Sequence, residues 1–449
     1  MPILTVTSDC LFTEIDLALE QELKRQLTID NPQYLAARKF GRWIGKKLQP
    51  TLKYYQPVPG GLRFPRGFSN QAVRLCRDLS GTAPEIVDQR RLLPAISSGF
   101  SGTLRPYQQQ AVELVCNRSF GVLEAGTGSG KTVMALAAVA RRQQPTLVVV
   151  HTKELLYQWQ ERIATFLGSE AGLVGDGHFS LAPVTVAIVN TARKRAQELV
   201  PHFGHLVVDE CHRVPAALFT EVVAHFDCYF LLGLSATAFR SDGGLTKLIY
   251  YFMGELIHRV DQDELQATGA VLKPELIRRP TRFSYPYRGD YQALIKALTR
   301  HQGRNMQIAE DIAQVVADED AGIALVVSDR VGHCELLTRL LVERGIDVAL
   351  LTGQLAAERR AEVVEAVRAG NLQVLVATIQ LISEGFDCPG LSTLFLTTPI
   401  TFEGRLLQVI GRIMRPAAGK RARVFDYVDE EVRTLTRSAN IRKRVLAEL

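Results

Sequence analysis

The sequence has little of what marks secreted or membrane proteins. Its seven cysteines are scattered, and no two form a C-x-x-C pair, so neither a disulfide scaffold nor a common zinc module is indicated. No apolar run approaches the roughly 18 residues that a membrane span needs. The first residues lack the basic segment of a secretion signal and include Asp9 and Glu14. We therefore expect a soluble, cytoplasmic protein with no membrane partner.

Short repeats and low-complexity tracts are also missing, which argues against solenoids and disordered chains. The 449 residues, 47% of them hydrophobic, are enough to bury several large cores. Usual domain sizes give about three domains for this length.

Acidic residues are absent from residues 31–77, which hold ten of the 53 lysines and arginines. Aromatic residues interleave with these bases, and a positive surface with aromatic rings can hold phosphates and stack bases. Alternatively, the aromatic residues form the core of a small domain and the bases are a solvated face. The first interpretation gives these candidate nucleic-acid contacts: Lys39, Arg42, Trp43, Arg63 and Arg66.

Short β-branched runs alternate with helical patterns from about residue 108 onward, in two successive series. Such alternation, with strands apolar on both faces, predicts parallel sheets flanked by helices. We expect an α/β protein with lobes at 98–272 and 273–432, an accessory domain at 1–97 and a helical tail at 433–449. Prolines and glycines place the expected hinge near 270–285.

The stretch AGTGSGKT (residues 125–132) lies between a strand-like run and a helix-forming run. Glycines let such a loop curl its N–H groups inward, and the helix that follows adds its positive end. Lys131 is expected to reach the terminal phosphates of a nucleoside triphosphate, and Thr132 to bind Mg²⁺. The remaining loop residues that would bind the nucleotide are Gly126, Thr127, Gly128, Ser129 and Gly130.

A second polar cluster, VVDECHRV, ends an apolar run at residues 207–214. Asp209 is expected to hold Mg²⁺ and Glu210 to orient and polarise the attacking water. A Cys211–His212 nucleophilic pair is disfavoured, because adjacent residues of an extended segment point apart. A zinc site that uses these two residues with His202 and His205 is also disfavoured, because the ligand spacing matches no usual site.

The sequence DECH (residues 209–212) resembles the DEAD/DEAH box of the superfamily 2 helicases. With these residues placed, the chain as a whole resembles that family. RPYQ, EGFD and QVIGR are similar to the branch that includes XPB and the phage UvsW protein. The resemblance spans about residues 105–427 and implies two tandem RecA-like lobes. It also implies ATP as substrate, Mg²⁺ as cofactor, and adenine recognition by Gln108 with Arg105.

The resemblance assigns further roles in both lobes. Gln408, Arg412 and Arg415 in QVIGRIMRP are catalytic, the two arginines stabilising charge on the leaving phosphate. Gly385 and Asp387 in EGFD line the nucleotide site. Three residues are expected to couple nucleotide state to the second lobe: His212, Ser235 and Thr237. Six are expected to touch a nucleic-acid strand: Thr152, Lys153, Asn190, Thr191, Ser328 and Thr378.

The function implied is an ATP-dependent DNA helicase or translocase acting on duplex, forked or damaged DNA, with a role such as DNA repair. Its expected partner is duplex, forked or single-stranded DNA. Phosphate contacts do not read the 2′-hydroxyl, so an RNA helicase stays open. So does an ATP-hydrolysing switch that recruits a nuclease or repair partner without travelling. Residues 285–318 leave room for little more than two helices, which puts strand separation by the thumb wedge of XPB-type enzymes in doubt.

Overall fold

The computed structural model describes residues 1–39, 48–211, 216–236, 244–318, 322–383, 388, 390–400, 403–417, 419–447 and 449. These residues form two compact units. The first unit comprises Met1–Ala125 and Gly130–Val260, and the second comprises Gly126–Ser129 and Asp261–Leu449. Among the described helices, none is long and apolar enough to cross a membrane.

The first unit begins with a small mixed domain, the N-terminal domain. Its strands are β1 (Ile3–Val6), β2 (Asp9–Thr13), β3 (Thr28–Asp30), β4 (Thr51–Lys53), β5 (Gln56–Val58), β6 (Gly61–Pro65) and β7 (Glu85–Asp88). Its helices are α1 (Leu17–Gln26), α2 (Pro32–Lys39) and α3 (Ser69–Ser80). Five strands form one sheet in the order β5-β6-β2-β1-β7, and β3 pairs with β4. Alternate residues of β2 are buried, as expected for a sheet with one face on a core.

The rest of the first unit is the α/β fold that the alternating pattern predicts. Its helices are α4 (Pro106–Cys116), α5 (Lys131–Arg142), α6 (Lys153–Leu167), α7 (Val189–Lys194), α8 (Ala196–Leu199), α9 (Ala216–His225) and α10 (Gly244–Met253). Its strands are β8 (Phe120–Glu124), β9 (Thr146–Val150), β10 (Gly172–Gly175), β11 (His178–Ser180), β12 (Val184–Ile188), β13 (His205–Val208), β14 (Phe230–Ser235) and β15 (Leu256–Arg259).

These eight strands form one sheet in the order β11-β10-β12-β9-β13-β14-β8-β15. Each neighbouring pair is parallel except β10 with β11. The carboxyl ends of β8, β13 and β14 therefore lie at the same edge, where ligands bind in open α/β sheets.

Helix α10 joins the N-terminal domain to this sheet. Its residues Leu248 and Tyr251 are buried in the core of the N-terminal domain, where Tyr251 packs edge-on against Phe68. The Tyr251 hydroxyl donates a hydrogen bond to the carbonyl of Gln26. A Cβ at Gly67 would lie 2.4 Å from the backbone nitrogen of Gly254, so only glycine fits there. The N-terminal domain is thus packed onto the first unit rather than tethered to it.

The second unit contains a six-stranded parallel sheet. Its helices are α11 (Gln262–Ala267), α12 (Tyr291–Arg300), α13 (Gln302–Val316), α14 (Val331–Val342), α15 (Ala357–Arg368), α16 (Ile379–Ser383), α17 (Glu403–Ile413) and α18 (Arg433–Ala447). Its strands are β16 (Glu275–Pro280), β17 (Ile323–Ser328), β18 (Val348–Leu351), β19 (Val374–Thr378), β20 (Leu391–Leu396) and β21 (Arg423–Val428). The order is β16-β21-β20-β17-β19-β18.

The structure differs from the expected organisation at the start of the second unit. Residues 275–280, within the expected hinge, form the edge strand β16, parallel to β21. Two prolines suggested a break, but an edge strand tolerates proline at its end. The units divide at 260/261 instead of 272/273. The expected C-terminal tail is α18, which Arg442 ties to Asp426 of β21 through a buried ion pair of 2.6 Å.

Candidate nucleotide and nucleic-acid sites

The phosphate loop follows β8 as predicted. The N–H of Ala125 donates to the carbonyl of Ser235 at 2.9 Å, which fixes the start of the loop beside the end of β14. Gly128 and Gly130 have φ of +88° and +83°, in the left-handed region that favours glycine. A Cβ at Gly130 would also lie 2.5 Å from Nε2 of Gln108. The loop therefore has the curled backbone that cradles phosphates.

Lys131 and Thr132 open helix α5 directly after the loop. The Lys131 ammonium lies back over the loop and donates to the carbonyl of Ala125 at 2.9 Å. Ser129 is fully buried, and its hydroxyl donates to the carbonyl of Gly126 at 2.7 Å, which closes the turn. A cation, a helix N-terminus and the loop's backbone thus converge where a polyphosphate would bind.

The carboxylates Asp209 and Glu210 follow β13, which is separated from β8 in the sheet by β14. Asp209 is buried, and its Oδ2 accepts a hydrogen bond of 2.8 Å from Nε1 of Trp159. Burial and the neighbouring Glu210 charge raise the pKa of Asp209 to about 6, against the opposing effects of Trp159 and Lys131. Such a crowded pair of carboxylates fits the binding of a divalent cation, which would offset their charge.

Glu210 is one of the few described non-glycine residues with positive φ, at +51°. A non-glycine residue in this region costs about 1–3 kcal/mol and is held there by its surroundings. The N–H of Glu210 donates to Oδ1 of Asp209 at 2.9 Å, and the N–H of Cys211 donates to the carbonyl of Leu234 at 3.0 Å. These bonds hold the turn that carries the two carboxylates.

Cys211 and His205 do not take part in a reactive or metal site in this structure. Burial raises the pKa of the Cys211 thiol, which keeps it protonated and weakly nucleophilic. His205 is buried between Arg142, at 2.8 Å from Nε2, and the hydroxyl of Thr146, at 3.2 Å from Nδ1. Both ring nitrogens of His205 are therefore occupied by structural contacts.

Gln108 and Arg105, the residues expected to recognise adenine, lie at the start of α4. The side chain of Gln108 is buried beside Gly130, and its Oε1 accepts from the N–H of Arg105 at 3.0 Å. Pro106 occupies the first helical position, which suits its fixed φ. Arg105 is exposed. The structure thus brings Gln108 next to the phosphate loop, whereas adenine recognition stays a prediction.

The expected catalytic residues of the second unit lie on or just beyond α17. Gln408 and Arg412 are buried. Nε of Arg412 donates to the carbonyl of Ile382 at 3.1 Å, and Oε1 of Gln408 has no hydrogen-bond partner among the described residues. Arg415 is half-buried, and its carbonyl accepts from Nζ of Lys420 at 2.7 Å. Their catalytic roles stay predictions.

The expected nucleic-acid contacts of the first unit are at two helix starts. Thr152 caps α6 by accepting from the N–H of Leu155 at 3.3 Å, and Lys153 beside it is exposed. Asn190 is exposed and Thr191 half-buried in α7. Helix N-termini and exposed polar side chains of this kind bind phosphates readily.

Two expected contacts of the second unit differ in accessibility. Thr378, at the end of β19, is half-buried. Ser328, opposite it in register at the end of β17, is fully buried. Its hydroxyl is 2.9 Å from Nδ1 of His333 and accepts from the N–H of Arg330 at 3.2 Å. Ser328 therefore supports the start of α14 and does not present its hydroxyl to a strand.

The N-terminal candidates also divide. Arg63 is exposed and pairs with both oxygens of Asp9, at 3.0 and 2.9 Å. Arg66 is buried, and its Nη1 donates to the carbonyl of Cys228 at 2.6 Å. A guanidinium so placed stabilises the packing of the N-terminal domain and cannot contact DNA. The alternative interpretation of the aromatic residues holds for Phe64 and Phe68, which are core residues.

Several expected site residues lie outside what the structure describes: Arg42, Trp43, His212, Thr237, Gly385 and Asp387. Lys39 is the last residue of α2, and its side chain is not described. Sequence reasoning missed Trp159, which fixes a carboxylate oxygen of Asp209 from the second turn of α6. Its residue type and helical spacing indicate only a core aromatic, and the strand-end partner becomes visible only in the fold.

The fold and this site together define a P-loop nucleoside triphosphatase with two RecA-like units. Comparisons with known proteins agree. Residues 101–240 match the family Type III restriction enzyme, res subunit, and residues 307–417 match the Helicase conserved C-terminal domain. The chain belongs to the superfamily 2 helicases, which use ATP and act on nucleic acids.

Individual relatives cover most of the chain. The DNA 3′-5′ translocase XPB2 of Sulfurisphaera tokodaii is 27% identical over 347 residues, which are 70% of this chain and 78% of the relative. The Probable helicase D10 of Escherichia phage T5 is 27% identical over 76% of this chain and 75% of its own. Among solved structures, S. cerevisiae Dbp5 bound to RNA and ADP BeF3 is 16% identical, with a TM-score of 0.58 over 77% of this chain and 88% of Dbp5. That likeness shows the shared fold.

Proposed function

We infer that this protein is an ATP-dependent DNA helicase or translocase. The observation that carries the inference is the convergence of the curled phosphate loop, the Lys131 ammonium and the buried carboxylate of Asp209 at one edge of the first sheet. DNA is favoured over RNA because the relative named a DNA 3′-5′ translocase matches 70% of this chain.

In this proposal, the triphosphate lies in the loop between Ala125 and Lys131. The backbone N–H groups turned inward by Gly128 and Gly130 donate to the phosphate oxygens. Lys131 exchanges its bond to the Ala125 carbonyl for the terminal phosphates, which are better acceptors because they are charged. Gln108, beside the loop, donates to the adenine edge.

The hydroxyl of Thr132 and the carboxylate of Asp209 would hold Mg²⁺. Oδ2 of Asp209 already accepts from Trp159, which orients the carboxylate before the cation binds. Mg²⁺ bound there would neutralise charge on the β- and γ-phosphates. Trp159 is thus a positioning residue for the ligand.

Glu210 orients the attacking water and accepts its proton. Asp209 serves the metal, and Glu210, held in the positive-φ turn after β13, serves the water. The second unit contributes Arg412 and Arg415, whose guanidinium groups stabilise charge that develops in the transition state. Gln408 on the same helix positions the water or a phosphate oxygen through its amide.

Polar side chains at strand and helix ends of both units grip DNA phosphates. In the first unit these are Thr152, Lys153, Asn190 and Thr191, and in the second unit Thr378. In this proposal, the cycle of ATP binding and hydrolysis changes the grip of each unit on the DNA in turn and so moves the protein along DNA.

The test is the ATPase rate of the full chain without nucleic acid and with single-stranded, duplex or forked DNA or matched RNA. We expect strong stimulation by DNA and its loss in Lys131→Ala. Lys443→Ala, an exposed lysine of α18, is the matched control and should behave like the unaltered chain.

A rate that no nucleic acid changes would contradict a DNA motor. Preference for RNA would replace it with an RNA helicase. Stimulation that survives in Lys131→Ala would show that the loop at residues 125–132 is not the hydrolytic site.

A further inference from the structure

The second unit has a groove of about 550 Å³ between helices α12 and α14. Four cationic side chains line it, and the lining includes no carboxylate: Lys296, Arg300, Arg330 and Arg339. Lys296, Arg300 and Arg339 are exposed, so their charged groups are accessible from solvent. This groove lies above the end of β17, where the sequence predicted a nucleic-acid contact.

The sequence of α12 explains why one face of it is cationic. Gln292, Lys296 and Arg300 are spaced by four residues and therefore line one face of the helix. Leu294 and Leu298 point the other way, into a small core that also contains Phe283. The apolar face fixes α12, and the cationic face is left as a wall of the groove.

Arg330 and His333 complete the groove from α14. The guanidinium of Arg330 donates to the amide oxygen of Gln292 and so joins the two walls. His333 lies in the floor, buried and neutral, because burial and then the charge of Arg304 lower its pKa to about 3. Its Nδ1 is 2.9 Å from the hydroxyl of Ser328. The floor is therefore uncharged at His333, and the positive charge is confined to the walls.

Three other arginines of the second unit are held in ion pairs within the fold. Arg279, Arg304 and Arg442 are each paired with an aspartate, at 2.6 to 2.8 Å. None of the four groove cations has a carboxylate partner among the described residues. Like charges gathered in one groove repel each other, and a polyanion that enters would relieve that repulsion.

We propose that the groove between α12 and α14 binds consecutive backbone phosphates of the DNA on which the protein acts. The proposal rests on the proposed function. It replaces the expected contact by the buried Ser328 with contacts by Lys296, Arg300, Arg330 and Arg339. Because these side chains contact phosphates and do not contact base edges, we expect the binding to be independent of base sequence.

The test is the equilibrium affinity of the full chain for forked DNA as a function of salt concentration. Each phosphate contact contributes about 0.9 to the slope of log K against log salt on duplex DNA and about 0.7 on single strands. The double variant Lys296→Glu/Arg300→Glu should bind on the order of tenfold or more weakly at moderate salt and lose about 1.5 from the slope.

A second groove of the same unit provides the control. It runs along α18, and its lining holds three arginines and two glutamates: Arg433, Arg437, Arg444, Glu430 and Glu431. Arg437→Glu changes an exposed arginine in the same sense but should alter affinity little. A thermal unfolding curve shows whether each variant is folded, and Lys296→Ala/Arg300→Ala should give a smaller loss in the same direction.

Equal affinities of Lys296→Glu/Arg300→Glu and Arg437→Glu, with normal DNA binding by the unaltered chain, would overturn the groove proposal alone. Absence of DNA binding by the unaltered chain would overturn the proposed function, and the groove proposal with it.

Discussion

The two units have similar sheets but different chemistry at the ends of their strands. In the first unit, the strand ends lead into the glycine loop and the Asp209–Glu210 pair. In the second, β17 leads into Arg330 and the cationic groove. Ser328, the polar contact expected there, is buried. A parallel sheet therefore fixes where loops meet, whereas the residues of the loops decide what each unit can do.

Attachments also distinguish the units. The first unit has an additional domain that shares its core with α10, and an arginine of that domain is buried in the contact. In the second unit, α12 and α14 expose Lys296, Arg300 and Arg339, which have no carboxylate partner among the described residues. Basic residues thus serve structure in one region and ligand binding in the other, and only their partners reveal which.

The largest expected effect that separates the units is a loss of ATP hydrolysis that leaves nucleotide binding unchanged. Arg415→Ala should lower kcat about a thousandfold or more, because a charge that stabilises the transition state is removed. Affinity for a fluorescent ATP analogue should change little, since the loop at residues 125–132 holds the triphosphate. Arg437→Ala is the control. Equal losses of nucleotide affinity and of kcat would contradict this division of roles.

The next largest effect is expected from removing the general base, Glu210, of the first unit. Glu210→Gln should lower kcat by about 10²-fold or more, because the amide cannot accept a proton. ATP binding should persist, measured with the same analogue. Glu161→Gln on the exposed face of α6 should have no effect. A Glu210→Gln variant with normal kcat would remove Glu210 from the mechanism.

A smaller effect is expected when the support of Asp209 is removed. Trp159→Phe keeps most of the buried ring but deletes the Nε1–H donor. We expect the Mg²⁺ concentration for half-maximal ATPase to rise about tenfold, as for other partners that orient a metal ligand. An unchanged Mg²⁺ requirement would mean that Trp159 serves packing only.

The smallest expected effect is on the joint between the N-terminal domain and α10. Tyr251→Phe deletes the hydroxyl that donates to the Gln26 carbonyl and should lower the free energy of unfolding by about 1 kcal/mol. Tyr54→Phe is the matched control, since its ring centroid is 5.6 Å from that of Tyr251. Urea unfolding measures both, and equal losses would show that the hydroxyl bond is not the cause.

Local sequence patterns predicted the strands and loops that carry the nucleotide site. β8 and β9 are short β-branched or apolar runs within clear turns, the pattern that predicts buried parallel strands. β16 could not be predicted, since its prolines indicate a break unless the strand is known to lie at a sheet edge. The strands of the N-terminal domain are three to five residues long, too short for a clear alternating pattern.

Contacts between distant residues explain what the sequence could not reveal. Trp159 meets Asp209 across 50 positions, and Arg66 meets Cys228 across 162. Ser328 is covered because the helix after it places His333 over its hydroxyl. A basic or hydroxyl-bearing residue in a motif therefore predicts a contact with nucleic acid only when the fold leaves its side chain accessible.

The most direct test of the central claim is displacement of a third strand from triplex DNA by the full chain. We predict that ATP with Mg²⁺ drives displacement and that Lys131→Ala abolishes it while Lys443→Ala does not. DNA-stimulated ATP hydrolysis without any displacement would contradict a motor and leave a stationary, DNA-bound ATPase.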